Sequence, residues 1–175
     1  MNNNHQLVQF NQITDLIYIG TNLCCTAIPH IKILLDLGIK ADIDLEEERQ
    51  EQTPNIDTYL WLPVKDHYAP TQEQLDIGVA VIAGLVKNNK KVYIHCKNGH
   101  GRGPTLLAAY FIYASSEKSS ARFISKGMSV EEAIAKIKSK RSEIHIREVQ
   151  IEALNIFKQR GFSELEFYPE ASDNL

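Results

Sequence analysis

The sequence has no long apolar run and no large excess of charge of either sign. No stretch approaches the roughly 18 apolar residues that a membrane-spanning helix needs, and the amino terminus has neither the basic n-region nor the apolar h-region of a signal peptide. We therefore predict a protein that is neither membrane-spanning nor classically secreted. A net charge of −3 over 175 residues gives no reason to expect nucleic-acid binding.

Cysteine is also scarce. The chain has three, of which Cys24 and Cys25 are adjacent and Cys96 stands alone, and this is too few for a disulfide framework. We therefore expect a cytoplasmic protein in reducing surroundings. A protective disulfide between Cys96 and one of the adjacent pair is a secondary hypothesis.

The length and the order of elements predict one domain, 1–175, with its core at about 12–160 and an acidic tail at 161–175. Hydrophobic periodicity predicts strands at 16–19, 39–45, 59–64 and 92–95, and helices at 28–37, 71–88, 102–113, 129–141 and 143–160. Strands that alternate with helices indicate an α/β fold with a central, mostly parallel β-sheet flanked by helices. The charge cluster at 46–51 is interpreted as a solvated loop or helical turn.

The most informative segment is the predicted strand 92–95, the loop after it and the helix that begins at Arg102. Cys96 follows the strand directly, at the sheet edge where open α/β folds bind ligands. The glycines of the loop allow backbone N–H groups to point inward, and the helix N-terminus faces the same place, so we predict a phosphate-binding loop that favours the Cys96 thiolate. Its predicted phosphate-binding residues are Lys97, Asn98, Gly99, His100, Gly101 and Arg102.

The pattern His95, Cys96, five residues and Arg102 resembles the cysteine-dependent protein-tyrosine-phosphatase superfamily, most of all its dual-specificity branch. Residues 16–20, 62–66 and 128–141 are similar to further segments of that branch. The resemblance implies that Cys96 attacks phosphorus, that Arg102 clamps two phosphoryl oxygens and that an aspartate on a separate loop protonates the leaving oxygen. We interpret His95 as an orienting residue, and this chemistry requires no metal or cofactor.

The best candidate for the general acid is Asp66, which follows a predicted strand and lies thirty residues before Cys96. An acid on a separate loop escapes the repulsion that a group fixed inside the anion cradle would feel. Asp57 and Glu73 are the alternatives.

Two departures from the family pattern are informative. Gly103 stands where the family usually carries the serine or threonine that stabilises the departing thiolate, and whether Thr105 substitutes is left open. Lys97 and His100 are basic, as in tensin-like phosphoinositide phosphatases and the phosphatidylglycerophosphate phosphatase. The predicted substrate is therefore an inositol or glycerophosphate lipid head group, or a phosphoprotein.

The rival interpretations are a pseudophosphatase that binds phosphorylated ligands without turnover and a rhodanese-like sulfurtransferase. Nothing in the sequence indicates an oligomeric state.

Overall fold

The computed structural model describes residues 8–23, 25, 27–116 and 127–162, and it confirms the α/β fold. The strands are β1 (Phe10–Gln12), β2 (Ile17–Gly20), β3 (Ile39–Glu46), β4 (Thr58–Val64) and β5 (Lys91–His95). The helices are α1 (Ile28–Asp36), α2 (Gln72–Lys87), α3 (Arg102–Ser116), α4 (Val130–Lys138) and α5 (Glu148–Arg160). No helix in these segments is long and apolar enough to cross a membrane.

The sheet has the order β1-β2-β5-β3-β4, and every pairing is parallel except that of β1 with β2. The edge strand β1 lies in a polar lead from which the sequence predicted no strand. β5 is the central strand, so its carboxyl end, where Cys96 follows, lies between the ends of β2 and β3. This is the place where crossover connections leave room for a ligand.

Helices cover both faces of the sheet. On one face α1 packs its buried side chains, Ile31 and Leu34, against Tyr18 and Tyr93. On the other face lies the larger apolar cluster, to which α2, α3, α4 and α5 contribute. Helix α3 is buried along most of its length, and this fixes its first residue, Arg102, relative to the sheet.

Two predicted capping boxes are confirmed, those that begin α2 at Thr71 and α4 at Ser129. The last helix, however, begins at Glu148 and not at Glu143. Residues 142–147 form a connection that lies against the phosphate-binding loop, where the His145 N–H donates to the His100 carbonyl (3.0 Å). That tertiary contact leaves no trace in helical periodicity.

The interpretation of 46–51 as a solvated loop or turn is wrong for its two ends. Glu46 and Glu51 are buried, and the intervening residues form neither helix nor strand. Glu51 accepts a hydrogen bond from the Leu23 N–H (2.6 Å), and Glu46 accepts one from the Asn22 amide (2.9 Å). Burial of these carboxylates is stabilised by backbone and amide donors, which a charge pattern does not reveal. The predicted acidic tail lies largely outside the described residues.

Candidate active site

The loop after β5 turns its carbonyls outward. Four successive carbonyl oxygens accept hydrogen bonds from groups outside the loop: Lys97 O from Asn22 N (3.1 Å), Asn98 O from Arg141 Nη2 (3.1 Å), Gly99 O from Arg141 Nε (3.1 Å) and His100 O from His145 N (3.0 Å). A trans peptide points its C=O and N–H in opposite directions, and the described chain has no cis bond. The N–H groups of residues 98–101 therefore point to the inner side, which makes an anion cradle.

Two glycines make this curvature possible. Gly99 has φ +65°, and a β-carbon there would overlap the carbonyl of Gly20. Gly101 packs against the side chain of Gln150, whose amide nitrogen would lie 3.1 Å from an added β-carbon. The loop is therefore held between β2 on one side and α5 on the other.

Arg102 carries the positive charge of the cradle, and its side chain is 2% exposed. Its Nη1 donates to the Val64 carbonyl and to Glu48 Oε2, both at 2.7 Å, and its Nη2 lies 3.4 Å from Asp66 Oδ1. The buried Nε has no hydrogen-bond partner within the described part of the chain. The donors of a guanidinium lie in one rigid plane, and Arg102 lines the cleft. The unpartnered Nε is therefore the donor left for an oxygen of a phosphate bound there.

Asp66 lies at the same cleft, on the loop that follows β4. It lines the cleft together with Cys96 and Arg102, and its Oδ1 accepts the His67 N–H (3.0 Å). His67 has φ +71°, so the backbone turns sharply directly after the acid. The alternative Asp57 pairs with Lys90 (3.6 Å) at the opposite, amino end of β4, and Glu73 is an exposed residue of α2 that does not line the cleft.

His95 is fully buried beneath the loop. Its Nε2 lies 3.1 Å from Asp42 Oδ1 and its Nδ1 lies 3.8 Å from Asp44 Oδ1, in alignments that make ion pairs rather than hydrogen bonds. Burial alone would lower the pKa of His95, but the carboxylates of Asp42 and Asp44 outweigh it and raise that pKa above its usual value. Burial also raises the pKa of Asp44. His95 does not reach the cleft. Its buried position at the end of β5 suits a residue that orients the end of this strand, which Cys96 follows.

Gly103 has space for a side chain. A β-carbon there would meet its nearest atoms, in Ile19 and Ile94, at 3.7 Å, which is ordinary van der Waals contact, and its φ is not in the left-handed region. Thr105 does not stand in for the missing hydroxyl, because its Oγ1 donates to the Gly101 carbonyl (2.8 Å). A hydroxyl proton used in that bond is not available to Cys96.

The cleft contains residues that sequence reasoning missed: His67, His145, Arg147 and Gln150. It includes Asn98, His100, Gly101 and Arg102 of the predicted phosphate-binding residues, whereas Lys97 and Gly99 do not line it. Lys97 lies on the Glu48 side of the loop. Partial burial alone would raise the pKa of Glu48, but Arg102 and then Lys97 lower it.

Glu48 was also missed, since the charge cluster at 46–51 carried no functional signal. Its carboxylate binds the buried Arg102 from the solvent side and holds Nη1 away from the cleft. Glu48 thus adds a second acceptor for Nη1 beside the Val64 carbonyl.

The described cysteines, Cys25 and Cys96, are not in disulfide bonds. Cys25 Sγ lies 2.8 Å from His30 Nδ1, and Cys24 lies outside the described residues, so the disulfide hypothesis stays a prediction. Within the described segments, no group of three or more histidine, cysteine, aspartate or glutamate side chains is placed to hold a metal ion.

The fold is that of the cysteine-dependent protein-tyrosine-phosphatase superfamily, in its dual-specificity branch. A family model described as "Polymorphic toxin system, DSP-PTPase phosphatase" matches residues 20–116, more than half of the chain. The chain therefore belongs to this family, and the resemblance drawn from His95, Cys96 and Arg102 is confirmed. Nothing among these similarities favours a sulfurtransferase.

Two curated relatives share the name phosphatidylglycerophosphatase and protein-tyrosine phosphatase 1. The human protein is 34% identical over 91 residues, which cover 52% of this chain and 40% of the relative. The mouse protein is 36% identical over 142 residues, which cover 72% of this chain and 65% of the relative. The chain thus spans less than half of the length of the human relative and just under two thirds of the mouse one.

Solved structures agree with the fold. The crystal structure of PTPMT1 in complex with PI(5)P is 26% identical, with a TM-score of 0.70, and the match covers 86% of this chain and 95% of that one. The active form of Tk-PTP has the same TM-score at 23% identity and covers 87% of this chain and 97% of that one. At 23% identity, the likeness to Tk-PTP supports the fold alone.

Proposed function

We propose that the protein hydrolyses phosphate monoesters through a phosphocysteine intermediate on Cys96. The observation that carries this proposal is that Asp66, on the loop after β4, lines one cleft with Cys96 and Arg102, at the two ends of the loop after β5. The Cys96 thiolate attacks phosphorus while Asp66 protonates the leaving oxygen. Water then attacks phosphocysteine, Asp66 accepts its proton and the thiolate returns. In both steps Arg102 binds the phosphoryl oxygens through charge-assisted hydrogen bonds.

The test of the nucleophile is Cys96→Ser, assayed with an aryl phosphate and with vanadate. Vanadate mimics pentacoordinate phosphorus, so the variant should bind it while losing turnover. Residual activity above about one-hundredth of wild type would remove Cys96 from this role, since losing a nucleophile costs several orders of magnitude.

For the substrate we propose a phospholipid or inositol phosphate head group, with phosphoprotein as the competing class. The relatives' name contains both activities, and the PTPMT1 structure was solved with PI(5)P. A panel of phosphoinositides, inositol phosphates, phosphatidylglycerophosphate and phosphopeptides, with Cys96→Ser as the blank, decides between the two classes.

A second candidate function is a phosphatase that binds phosphorylated ligands and turns over slowly. It is favoured by Gly103, which supplies no hydroxyl to the departing thiolate, and by Thr105, whose hydroxyl is bound to Gly101. Steady hydrolysis of an aryl phosphate at ordinary phosphatase rates would dismiss this candidate.

We also propose that the protein works in reducing, cytoplasm-like surroundings. A catalytic thiolate is open to oxidation, and neither of the two described cysteines is in a disulfide bond. Activity that a glutathione disulfide buffer removes and a thiol reductant restores is the expected result. Activity that persists unchanged in the oxidised buffer would contradict the proposal.

A further inference from the structure

Asp44 is a buried carboxylate that the proposed reaction does not use. It is the last residue of β3 in register with β5, opposite His95, and its Oδ1 lies 3.8 Å from His95 Nδ1. A buried charge requires a partner of this kind. The same imidazole, however, already faces Asp42, whose Oδ1 lies 3.1 Å from its Nε2. Pairing with His95 therefore does not explain why β3 carries a second buried carboxylate here.

The hydrogen bonds of Asp44 lead away from the sheet. Its Oδ1 accepts the Glu46 N–H (2.7 Å), and its Oδ2 accepts the Glu51 N–H (3.1 Å) and the Tyr59 hydroxyl (3.1 Å). The bond to Glu46 is the turn-forming contact of an aspartate with the backbone two residues on, and the pairing of β3 with β4 becomes irregular at the same place. One carboxylate thus binds the backbone at both ends of the segment 46–51.

This segment carries Glu48 to Arg102. Residues 47–50 form neither helix nor strand, so the position of Glu48 depends on how the two ends are held. Glu48 binds Nη1 of Arg102 (2.7 Å) together with the Val64 carbonyl, and its second oxygen lies 3.4 Å from Nη2. Because the donors of a guanidinium lie in one rigid plane, a displaced Glu48 carboxylate would change the direction in which Nε meets a bound oxyanion.

We propose that Asp44 is a positioning residue for Arg102, on which it acts through the ends of the segment 46–51 and the carboxylate of Glu48. The inference rests on the proposed function, in which Arg102 binds the phosphoryl oxygens. Asp44 touches no reacting atom. It fixes the orientation of the guanidinium before the substrate arrives, so that less ordering has to accompany binding.

Other contacts keep the segment attached when Asp44 is changed. The Glu46 side chain accepts the Asn22 amide (2.9 Å), and the Glu51 side chain accepts the Leu23 N–H (2.6 Å). These bonds hold the side chains of the end residues, whereas Asp44 holds their backbone. Loss of the Asp44 carboxylate should therefore displace Glu48 without detaching the segment from the fold.

The test is a double-mutant cycle on oxyanion binding in the Cys96→Ser background, where no turnover intervenes. The probe is tungstate, a tetrahedral dianion, and its affinity is measured by calorimetry. Asp44→Asn should weaken binding about tenfold, which corresponds to ~1.4 kcal/mol. In combination with Glu48→Ala the same change should weaken it less than about twofold, because changes that act through one another are not additive.

The matched control is Asp42→Asn. Asp42 is as deeply buried as Asp44 and faces the same His95, but its Oδ2 accepts the N–H and the hydroxyl of Thr53. In the described part of the chain it makes no hydrogen bond to the segment 46–51. The effect of Asp42→Asn on tungstate binding should therefore be the same with and without Glu48→Ala.

Additive effects of Asp44→Asn and Glu48→Ala would overturn the proposal, as would unchanged binding in Asp44→Asn or an equal coupling of Asp42 to Glu48. Urea unfolding of each variant verifies folding. Asp44→Ser is the second variant, because serine does not turn an amide N–H group toward the donors that Asp44 binds. It should show the same coupling to Glu48.

The cycle also separates this inference from the proposed function. If the wild-type protein hydrolyses no aryl phosphate, the proposed function fails, yet tungstate binding still reports on the position of Arg102. Normal hydrolysis together with an additive cycle would overturn the role of Asp44 and leave the proposed function in place. A Cys96→Ser protein that binds no tungstate would contradict both, since both require an anion cradle.

Discussion

The missing hydroxyl at Gly103 should make breakdown of phosphocysteine the slow step, and Gly103→Ser should relieve it. An added β-carbon meets its neighbours at 3.7 Å or more, so a side chain can begin at this position without displacing the sheet. A hydrogen bond to a charged group contributes ~1.5–3 kcal/mol, which corresponds to about 10–150-fold in the rate of thiolate departure. The rise in kcat should reach this range unless formation of the intermediate becomes limiting first.

Rapid-quench kinetics with an aryl phosphate measure the effect directly. Wild type should release a burst of the phenol before steady turnover, and Gly103→Ser should show a smaller burst and a higher kcat. Gly103→Ala is the matched control, because it adds the same β-carbon without the hydroxyl and should keep the burst. Absence of a burst in wild type, with serine no faster than alanine, would refute the reasoning.

Three further changes test the site. Asp66→Asn should lower kcat by about 10²–10⁴ for poor leaving groups and flatten the basic limb of the pH profile; an unaffected rate would remove Asp66 as the acid. Gly99→Ala should weaken vanadate binding, because φ +65° is strained for alanine and its β-carbon overlaps Gly20; unchanged affinity would contradict the cradle. The raised pKa of His95 implies stability that is complete below about pH 6.5 and lost as pH rises through the folded value. Asp42→Asn should flatten that fall in the free energy of unfolding, measured with urea, whereas equal slopes would exclude the ion pair.

The elements that the sequence predicted well share one property, which is that local signals define them. The capping boxes at Thr71 and Ser129 fixed two helix starts, and apolar periodicity found the four longer strands. The strand β1 escaped because it is short and lies at the sheet edge, where its partner β2 and not its own composition determines it. The start of α5 was placed too early because helix-forming residues continue upstream of Glu148.

The residues of the site also fall into two groups, those with a local sequence signal and those placed by tertiary contacts. Cys96, Arg102 and the loop between them are contiguous in sequence, so their spacing alone indicated an anion cradle. Glu48 reaches Arg102 from 54 positions away, and its charge neighbours made it look like a solvated residue. The lining contributed by His145 and Arg147 depends on a connection between helices that is held by tertiary contacts, among them the backbone hydrogen bond to His100.

Gln150 shows why such residues matter to the chemistry. Its side-chain amide donates to the Tyr68 carbonyl (2.9 Å), its Oε1 accepts the Arg147 N–H (2.9 Å), and the same side chain packs against Gly101. With 1% exposure, it joins the loop that carries Asp66, the phosphate-binding loop and the start of α5. The distance between acid and nucleophile therefore depends on a residue of the last helix, which touches neither reacting atom. A hydrogen bond that spans 82 positions has no local sequence signature, and only the folded chain reveals it.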